Sequence, residues 1–224
     1  MVVLIDADSL VYSCSYGVET EVEALTKFDE VLMYIVNDID QYYDVEFYYV
    51  YHGSRGRNFR YDVDENYKAN RKGERPEFFK ALSNYVRQEY EAISAEGEEV
   101  DDKIARDWRS LNEQGKEVCI VSIDKDYLQL PALIYNYSIN RRGFTRVTEQ
   151  MARHNFYTQV LTGDPSDNIK GAPGIGPKKA EKLLEGCTTD FSYLRTLVST
   201  YKEKVPEKPL ECLRKNITLL KIGD

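Results

Sequence analysis

Short apolar runs that stop on an acid recur along this chain, and they limit its possible folds more than any other feature. VVLID (2–6) closes on Asp6, and EVCIVSID (117–124) closes on Asp124 with Asp126 two residues further on. Continuous apolar runs of this length mark strands buried on both faces, as in parallel sheets covered by helices. VEFYYVY (45–51), YEAIS (90–94) and LIYNYSI (133–139) add further strand candidates through their β-branched and aromatic content. Between them, residues 21–43 place Val22, Leu25, Phe28, Leu32, Ile35 and Ile39 at helical spacing, and 76–90 and 100–114 also read as helices. Strands alternating with helices predict an α/β core around a mostly parallel central sheet. From about residue 149 the pattern turns helical, with later helices near 190–202 and 207–220, and this half is expected to pack onto the core.

In open parallel sheets ligands collect outside the carboxyl ends of the strands. Asp6, Asp124 and Asp126 fall at such ends, and the i, i+2 spacing of the last two aims both side chains the same way in an extended chain. Glu99, Asp101 and Asp102 follow the candidate strand at 90–94 and open the next helix, while Asp164 and Asp167 arrive from the helical half. Any one of them alone is an ordinary helix cap or solvated acid. Gathered together, they raise one another's pKa values unless cations hold them. Oxygen ligands with no neighbouring histidine or cysteine select Mg²⁺ or Mn²⁺ over zinc.

The segment TGDPSDNIKGAPGIGPKKAEKLL (162–184) carries a second kind of chemistry. Glycines at Gly171, Gly174 and Gly176 let the backbone approach a phosphate closely, and the helix opening at Pro177 points its free N–H groups to the same place. Lys178, Lys179 and Lys182 follow at once. Two other glycine-rich loops are excluded: Pro177 stands where the Walker spacing needs lysine, and Lys179 where the dinucleotide fingerprint needs glycine. Acids able to hold a cation therefore stand beside a device able to hold a phosphodiester backbone.

A net charge of −8 argues against a nucleic-acid partner until its distribution is considered. With the eight acids named above set aside, the remainder of the chain is neutral. Within 52–75, read as an exposed loop, Arg55, Arg57, Arg60, Lys68, Arg71, Lys72 and Arg75 outnumber the acids. Hydrophobic content of 42% and charged content of 30% are those of a soluble globular protein. No apolar run approaches the ~20 residues of a membrane span. Cys14, Cys119, Cys187 and Cys212 lie far apart with no C-x-x-C pair, so reduced thiols in a cytoplasmic protein are expected.

IDAD (5–8), NYKANRKG (66–73), EVDD (99–102), SIDKD (122–126) and GDPSDNIKGAPGIGPKKA (163–180) together resemble, in order, the motifs of the 5′-nuclease family. That family includes flap endonucleases, bacteriophage 5′–3′ exonucleases and the 5′-nuclease domain of bacterial DNA polymerase I. The resemblance implies a PIN-like fold with a catalytic core over 1–148, a helical arch at about 55–90, and a helical DNA-binding region over 149–224. A helix-three-turn-helix at about 162–185 belongs to that region. Implied too are two Mg²⁺ or Mn²⁺ ions, a K⁺ at the hairpin, and cleavage of DNA at 5′ ends, flaps or nicks, with RNA–DNA hybrid as a further substrate. A monomer working with replication proteins in the cytoplasm of a bacterium or phage-infected host is expected, with no membrane role.

By resemblance Asp6, Glu99, Asp101, Asp124 and Asp126 are inner metal ligands, and Asp102, Asp164 and Asp167 are the remaining, partly outer acids. Lys68 and Arg71 match the basic pair at the scissile phosphate, with Asp6 and Asp126 completing the catalytic set. Tyr67, Lys72, Gly174, Gly176, Lys178, Lys179 and Lys182 are expected at the DNA. The family usually has an aspartate just after the second strand, where this chain reads VYHGSRG with His52 nearest; Asp8 or a water is the expected substitute. The rival readings are a non-catalytic DNA-binding relative and a PIN-type ribonuclease.

Overall fold

The computed structural model describes residues 1–53, 56–71 and 73–223. The chain opens with β1 (Val2–Asp6), α1 (Asp8–Cys14), α2 (Glu21–Asp40) and β2 (Phe47–Tyr51). One helical turn, α3 (Arg60–Val63), precedes α4 (Phe79–Glu89), α5 (Val100–Glu113) and β3 (Val118–Val121). Next come β4 (Leu133–Asn136), β5 (Gly143–Arg146), α6 (Glu149–Thr162), α7 (Pro177–Leu184), α8 (Asp190–Lys204) and α9 (Pro209–Leu220).

The strands form one sheet in the order β2-β1-β3-β4-β5, parallel except for β5, which pairs antiparallel with β4. From β1 the chain adds β2 on one side and later β3 on the other, so the order reverses at β1. The crevice beyond its carboxyl end is where such sheets bind ligands.

Alternation along β1 divides its side chains between two cores. Val3 and Ile5 join Leu10, Phe28, Leu32, Leu82 and Tyr135 on one face of the sheet. Val2 and Leu4 join Ile104, Trp108, Ile120 and Tyr127 on the other. The N-terminus of α2 is capped by Thr20, whose hydroxyl accepts from the Glu23 N–H at 3.2 Å. The buried stripe of α2 runs through Ala24, Phe28, Leu32, Ile35, Val36 and Ile39, whereas Val22, expected in it, is 70% exposed.

A third core lies under α6 to α9, where Tyr157, Val160, Leu161, Tyr193, Leu197, Tyr201 and Leu220 pack together. Tyr201 donates its hydroxyl proton to the Val160 carbonyl at 2.7 Å, and Asn216 donates to both the Tyr201 hydroxyl and the Lys170 carbonyl at 2.8 Å. Buried polar groups are thereby satisfied inside an otherwise apolar cluster. No helix among the described residues is long and apolar enough to cross a membrane.

One expectation needs correction, and two elements were not foreseen. YEAIS is not a strand: only Ile93 reaches β2, as a single bridge to Tyr51, exchanging hydrogen bonds with Val50 and His52. The antiparallel edge strand β5 and the helix α1 had no counterpart in the sequence reading. Between β2 and α4 the described residues hold one helical turn, α3, and a series of tight turns.

Between α6 and α7 the chain doubles back through a two-residue antiparallel pair, Gly163–Asp164 with Ile169–Lys170. Gly163 and Gly171 face each other across this crossing. A Cβ on Gly171 stands 2.3 Å from the Leu161 carbonyl oxygen and 2.4 Å from the Gly163 nitrogen, with only backbone to yield. Gly171→Ala should therefore lower stability by about 1–3 kcal/mol, or about 3–10 °C in thermal midpoint for a chain of this size. Gly73→Ala, which meets open space, should leave the midpoint in place. Equal midpoints in circular dichroism melts of the two variants would show that the crossing can relax.

Candidate active site

Four acids collect around the carboxyl ends of β1 and β3 with no ion-pair partner recorded among the described residues. Asp6 ends β1 and is 8% exposed; its carboxylate accepts from the hydroxyls of Tyr127 at 3.1 Å and Ser122 at 3.2 Å, and from the Asp8 N–H at 3.1 Å. Burial, and then the neighbouring Asp8 and Asp124, push its carboxyl up to about 7. Asp124 accepts from the Asp126 N–H at 2.9 Å, an Asx turn that starts the 3₁₀ turn Lys125–Gln129. Asp126 accepts from the Gln159 amide at 2.8 Å, and desolvation with Asp124 and Asp164 nearby pushes it up to about 7 as well. Asp101, at the start of α5, is raised well above the carboxylate range by burial and by Asp102 and Glu99.

Tyr127 connects these groups. Buried, it is raised by that burial and by the charges of Asp6, Asp101 and Asp124, so its hydroxyl lies within their common field. It follows Asp126 directly in sequence, but nothing in SIDKDY marked it beforehand.

The other four acids already hold cations. Glu99 accepts from Lys68 Nζ at 2.5 Å, from the Asn58 amide at 2.8 Å and from the Tyr67 hydroxyl at 2.9 Å. Asp167 pairs with Arg71 at 2.5 Å, accepts from the same Tyr67 hydroxyl at 3.0 Å, and lies 3.8 Å from Lys68 Nζ. Asp164 pairs with Lys125 at 2.8 Å and accepts from both the N–H and the hydroxyl of Ser166. Burial works against its charge, but Lys125 and Ser166 outweigh it and hold the carboxyl down to about 2.

Asp102 takes a different part from the outer metal acid expected of it. It is 2% exposed and receives Arg60 in a two-pronged ion pair at 2.5 and 2.9 Å. Arg60, 1% exposed, also donates to the carbonyls of Leu219 and Lys221 at 2.9 Å each. Gly223 N–H returns to Asp102 at 3.0 Å, and Arg109 donates to the Gly223 carbonyl. Read in sequence as part of a solvated basic loop, Arg60 is instead the buried tie between the start of α5 and the end of α9.

Lys68 and Arg71 stand at the acids because 66–71 is laced to the turn 165–168. Lys68 N–H donates to the Asp167 carbonyl at 2.9 Å, Asn70 to the Pro165 carbonyl at 2.6 Å, and Asn168 back to the Asn66 carbonyl at 2.8 Å. Lys68 adopts φ +56°, a left-handed conformation uncommon for a residue with a Cβ, and these bonds hold it there. Tyr67, expected at the DNA, is 2% exposed and unavailable to a nucleic acid; its hydroxyl joins Glu99 to Asp167. Lys72 and Arg55 lie outside the described residues.

His52 is buried, with its Nδ1 2.6 Å from Asp8, which also accepts from the Gly53 N–H at 2.7 Å. Burial opposes the Asp8 charge, but His52, Gly53 and Arg87 overcome it and keep the carboxyl below its ordinary value. Asp8 is thus committed to His52. On the opposite flank, Gly174 takes φ +75° in the hairpin and Gly176 precedes Pro177 at the N-terminus of α7. Lys178, Lys179 and Lys182 are exposed, with Lys179 Nζ donating to the Gly174 carbonyl at 2.9 Å.

Among the described residues no three histidine, cysteine or acidic side chains converge into a ready-made coordination shell. The donor set nevertheless fits a hard divalent cation. Asp6, Asp101 and Asp126 are raised by burial and then by neighbouring carboxylates, both of which a divalent charge offsets, and the available donors are oxygens.

A family model described as the 5′–3′ exonuclease N-terminal resolvase-like domain matches residues 1–160. DNA polymerase I of Rhizobium leguminosarum is 34% identical over 179 residues, 75% of this chain, which spans only 17% of that protein. The flap endonuclease Xni of Vibrio campbellii is 30% identical over 177 residues, 70% of this chain and 65% of the relative. Among solved structures, a bacteriophage T5 flap endonuclease in complex with DNA and metal ions superposes with a TM-score of 0.76 at 15% identity, covering 100% of this chain and 90% of that one. The catalytic core of Rad2 in complex with a DNA substrate gives 0.52 at 14% identity, covering 100% and 74%. At these identities the structural likeness is one of fold.

Removing one partner of a buried ion pair strands the other charge, at a cost of about 3–5 kcal/mol, while replacing both with apolar groups of similar volume is far milder. Arg60→Ala should therefore destabilise strongly in urea titrations, and the double change Arg60→Met with Asp102→Leu should recover most of the loss. If the double change instead lost as much as the single changes Arg60→Met and Asp102→Leu added together, the pair would not be the unit that holds α5 to α9.

Proposed function

This chain belongs to the 5′–3′ exonuclease family, and from that premise we propose that it is a divalent-metal-dependent 5′ nuclease hydrolysing DNA phosphodiester bonds. It acts as a 5′–3′ exonuclease and as a structure-specific flap endonuclease at 5′ ends, flaps and nicks, with RNA–DNA hybrid as a further substrate. The observation that carries this reading is the group of acids without an ion-pair partner among the described residues at the mouth of the sheet: Asp6 and Asp126, each repelled by Asp124, with Asp101, which shares the field at the Tyr127 hydroxyl and lies near Lys68.

Those four acids, joined by Glu99, Asp164 and Asp167, would hold two Mg²⁺ or Mn²⁺ ions. Bound there, such ions supply Lewis-acid polarisation of the phosphate and ease ionisation of the attacking water. Lys68 and Arg71 leave Glu99 and Asp167 for the scissile phosphate and neutralise the charge that develops on it. Asp102 and Tyr67 hold the acids and the basic segment in place. The N–H groups around Gly174 and Gly176, with Lys178, Lys179 and Lys182, grip the duplex backbone, which sets register without reading bases. The hairpin would also hold a K⁺ ion. The protein works as a monomer alongside replication proteins in the cytoplasm of a bacterium or an infected host cell.

The direct test is cleavage of a 5′-labelled flap duplex. Product should form with Mg²⁺ or Mn²⁺ and stop on chelation; absence of cleavage with every divalent ion, together with intact duplex binding, would favour a non-catalytic DNA-binding protein.

Lys68→Ala separates catalysis from docking. An interaction made only as the reaction proceeds appears in the chemical step and not in ground-state binding. The single-turnover rate should fall on the order of 10²–10³, as for other charge-stabilising donors, with a much smaller change in DNA affinity. A normal rate at saturating enzyme would leave Lys68 as a mere counter-ion of Glu99.

A further inference from the structure

Asp126 belongs to the sheet side of the site and Asp164 to the hairpin side, and a single neutral side chain reaches both. Gln159, in the last turn of α6, donates its amide protons to Asp126 Oδ1 at 2.8 Å and to Asp164 Oδ2 at 3.2 Å. Its carbonyl oxygen accepts from Gln129 Nε2 at 2.7 Å, and Gln129 gives its other amide proton to the Leu220 carbonyl at 2.9 Å.

The bonding leaves one orientation. Both Gln129 protons are committed to oxygens, so Gln159 must turn its oxygen toward Gln129 and its NH₂ toward the acids. A flipped Gln159 sets its oxygen against two carboxylates and its NH₂ against another NH₂. Gln129 is itself placed by the 3₁₀ turn Lys125–Gln129, in which residues three apart eclipse, so it and Asp126 project together toward α6. Gln159 is also the one side-chain donor to Asp126 recorded among the described residues.

A neutral two-proton donor has a specific advantage here. Asp164 already holds Lys125, and another lysine or arginine at position 159 could compete with a divalent cation for the acids. An amide holds two repelling carboxylates at a set separation while leaving their charge available. An apolar side chain leaves Asp126 free to turn away from Asp164.

We propose that Gln159, oriented by Gln129, is a positioning residue: it fixes the relative placement of Asp126 and Asp164, and so the geometry in which the acids take up a divalent cation. This rests on the metal-dependent reading of the site given above. Residues that orient metal-binding side chains typically change metal affinity 10–100-fold when replaced.

Isothermal titration of the full chain with Mn²⁺ tests the assignment. Gln159→Met, similar in size but without amide protons, should weaken Mn²⁺ binding about 10-fold or more. Duplex affinity measured in chelator should stay within about twofold, because neither glutamine belongs to the hairpin. In flap cleavage, the Mn²⁺ concentration for half-maximal rate should rise, and high Mn²⁺ should restore most of the maximal rate.

Gln129→Met touches neither acid and should move Mn²⁺ binding in the same direction by a smaller factor. It carries the test should Gln159→Met fail to fold. Wild-type Mn²⁺ isotherms in both variants would overturn the assignment, as would a lowered cleavage rate with no change in Mn²⁺ requirement. A parent protein that neither binds Mn²⁺ nor cuts a flap would instead overturn the reading of the site beneath it.

Discussion

Like charges brought to one edge of a sheet repel, and much of this structure is arranged around how that repulsion is met. Four of the acids are met by cations that the chain itself supplies: Lys68 for Glu99, Arg60 for Asp102, Lys125 for Asp164 and Arg71 for Asp167. The other four have none among the described residues: Asp6 leans on neutral donors from Ser122 and Tyr127, and Asp126 on Gln159. The division follows position only in part: the acids at the ends of β1 and β3 and those of the hairpin fall on opposite sides of it, but at the start of α5 Glu99 and Asp102 hold cations while Asp101 between them does not. Charge that is left unbalanced in a buried place is a stored preference for a cation from outside.

The same pairs join parts of the chain that sequence keeps far apart. Tyr67 carries Glu99 and Asp167 on one hydroxyl, so the start of α5 and the turn before the hairpin share a proton donor. Through Lys68, Asn70 and Asn168 the backbone of 66–71 is bound to that turn as well. A shift of the hairpin would therefore be felt at Lys68. The left-handed backbone there makes the segment more apt to rearrange than one at rest in an ordinary basin.

The strands that carry the site were legible because burial on both faces demands uninterrupted apolar residues, and VVLID and VCIV have them. The acids closing those runs were legible for the same reason, since a charge ends a buried strand. β5 was not, because GFTR lies on the sheet edge, where only one neighbour constrains it. α1 escaped notice because it begins at Asp8 with no side-chain cap and follows β1 without a break. YEAIS misled through composition: its residues suit a strand, yet only Ile93 finds a partner. Arg60, Gln129 and Gln159 carried no signal at all. Their roles depend on backbone carbonyls and carboxylates brought near by the fold, and no local pattern encodes such a meeting.

Arg60 binds the carbonyls of residues 159 and 161 positions further along. Loops of that span are among the most costly in entropy to close, so contacts across them form late in folding. The sheet and its acids can assemble from the first part of the chain as it leaves the ribosome. The tie that steadies Asp102 must wait until α9 has been made. A molecule synthesised short of α9 would thus hold clustered acids while Arg60 and Asp102 lack the carbonyls that complete their pairing.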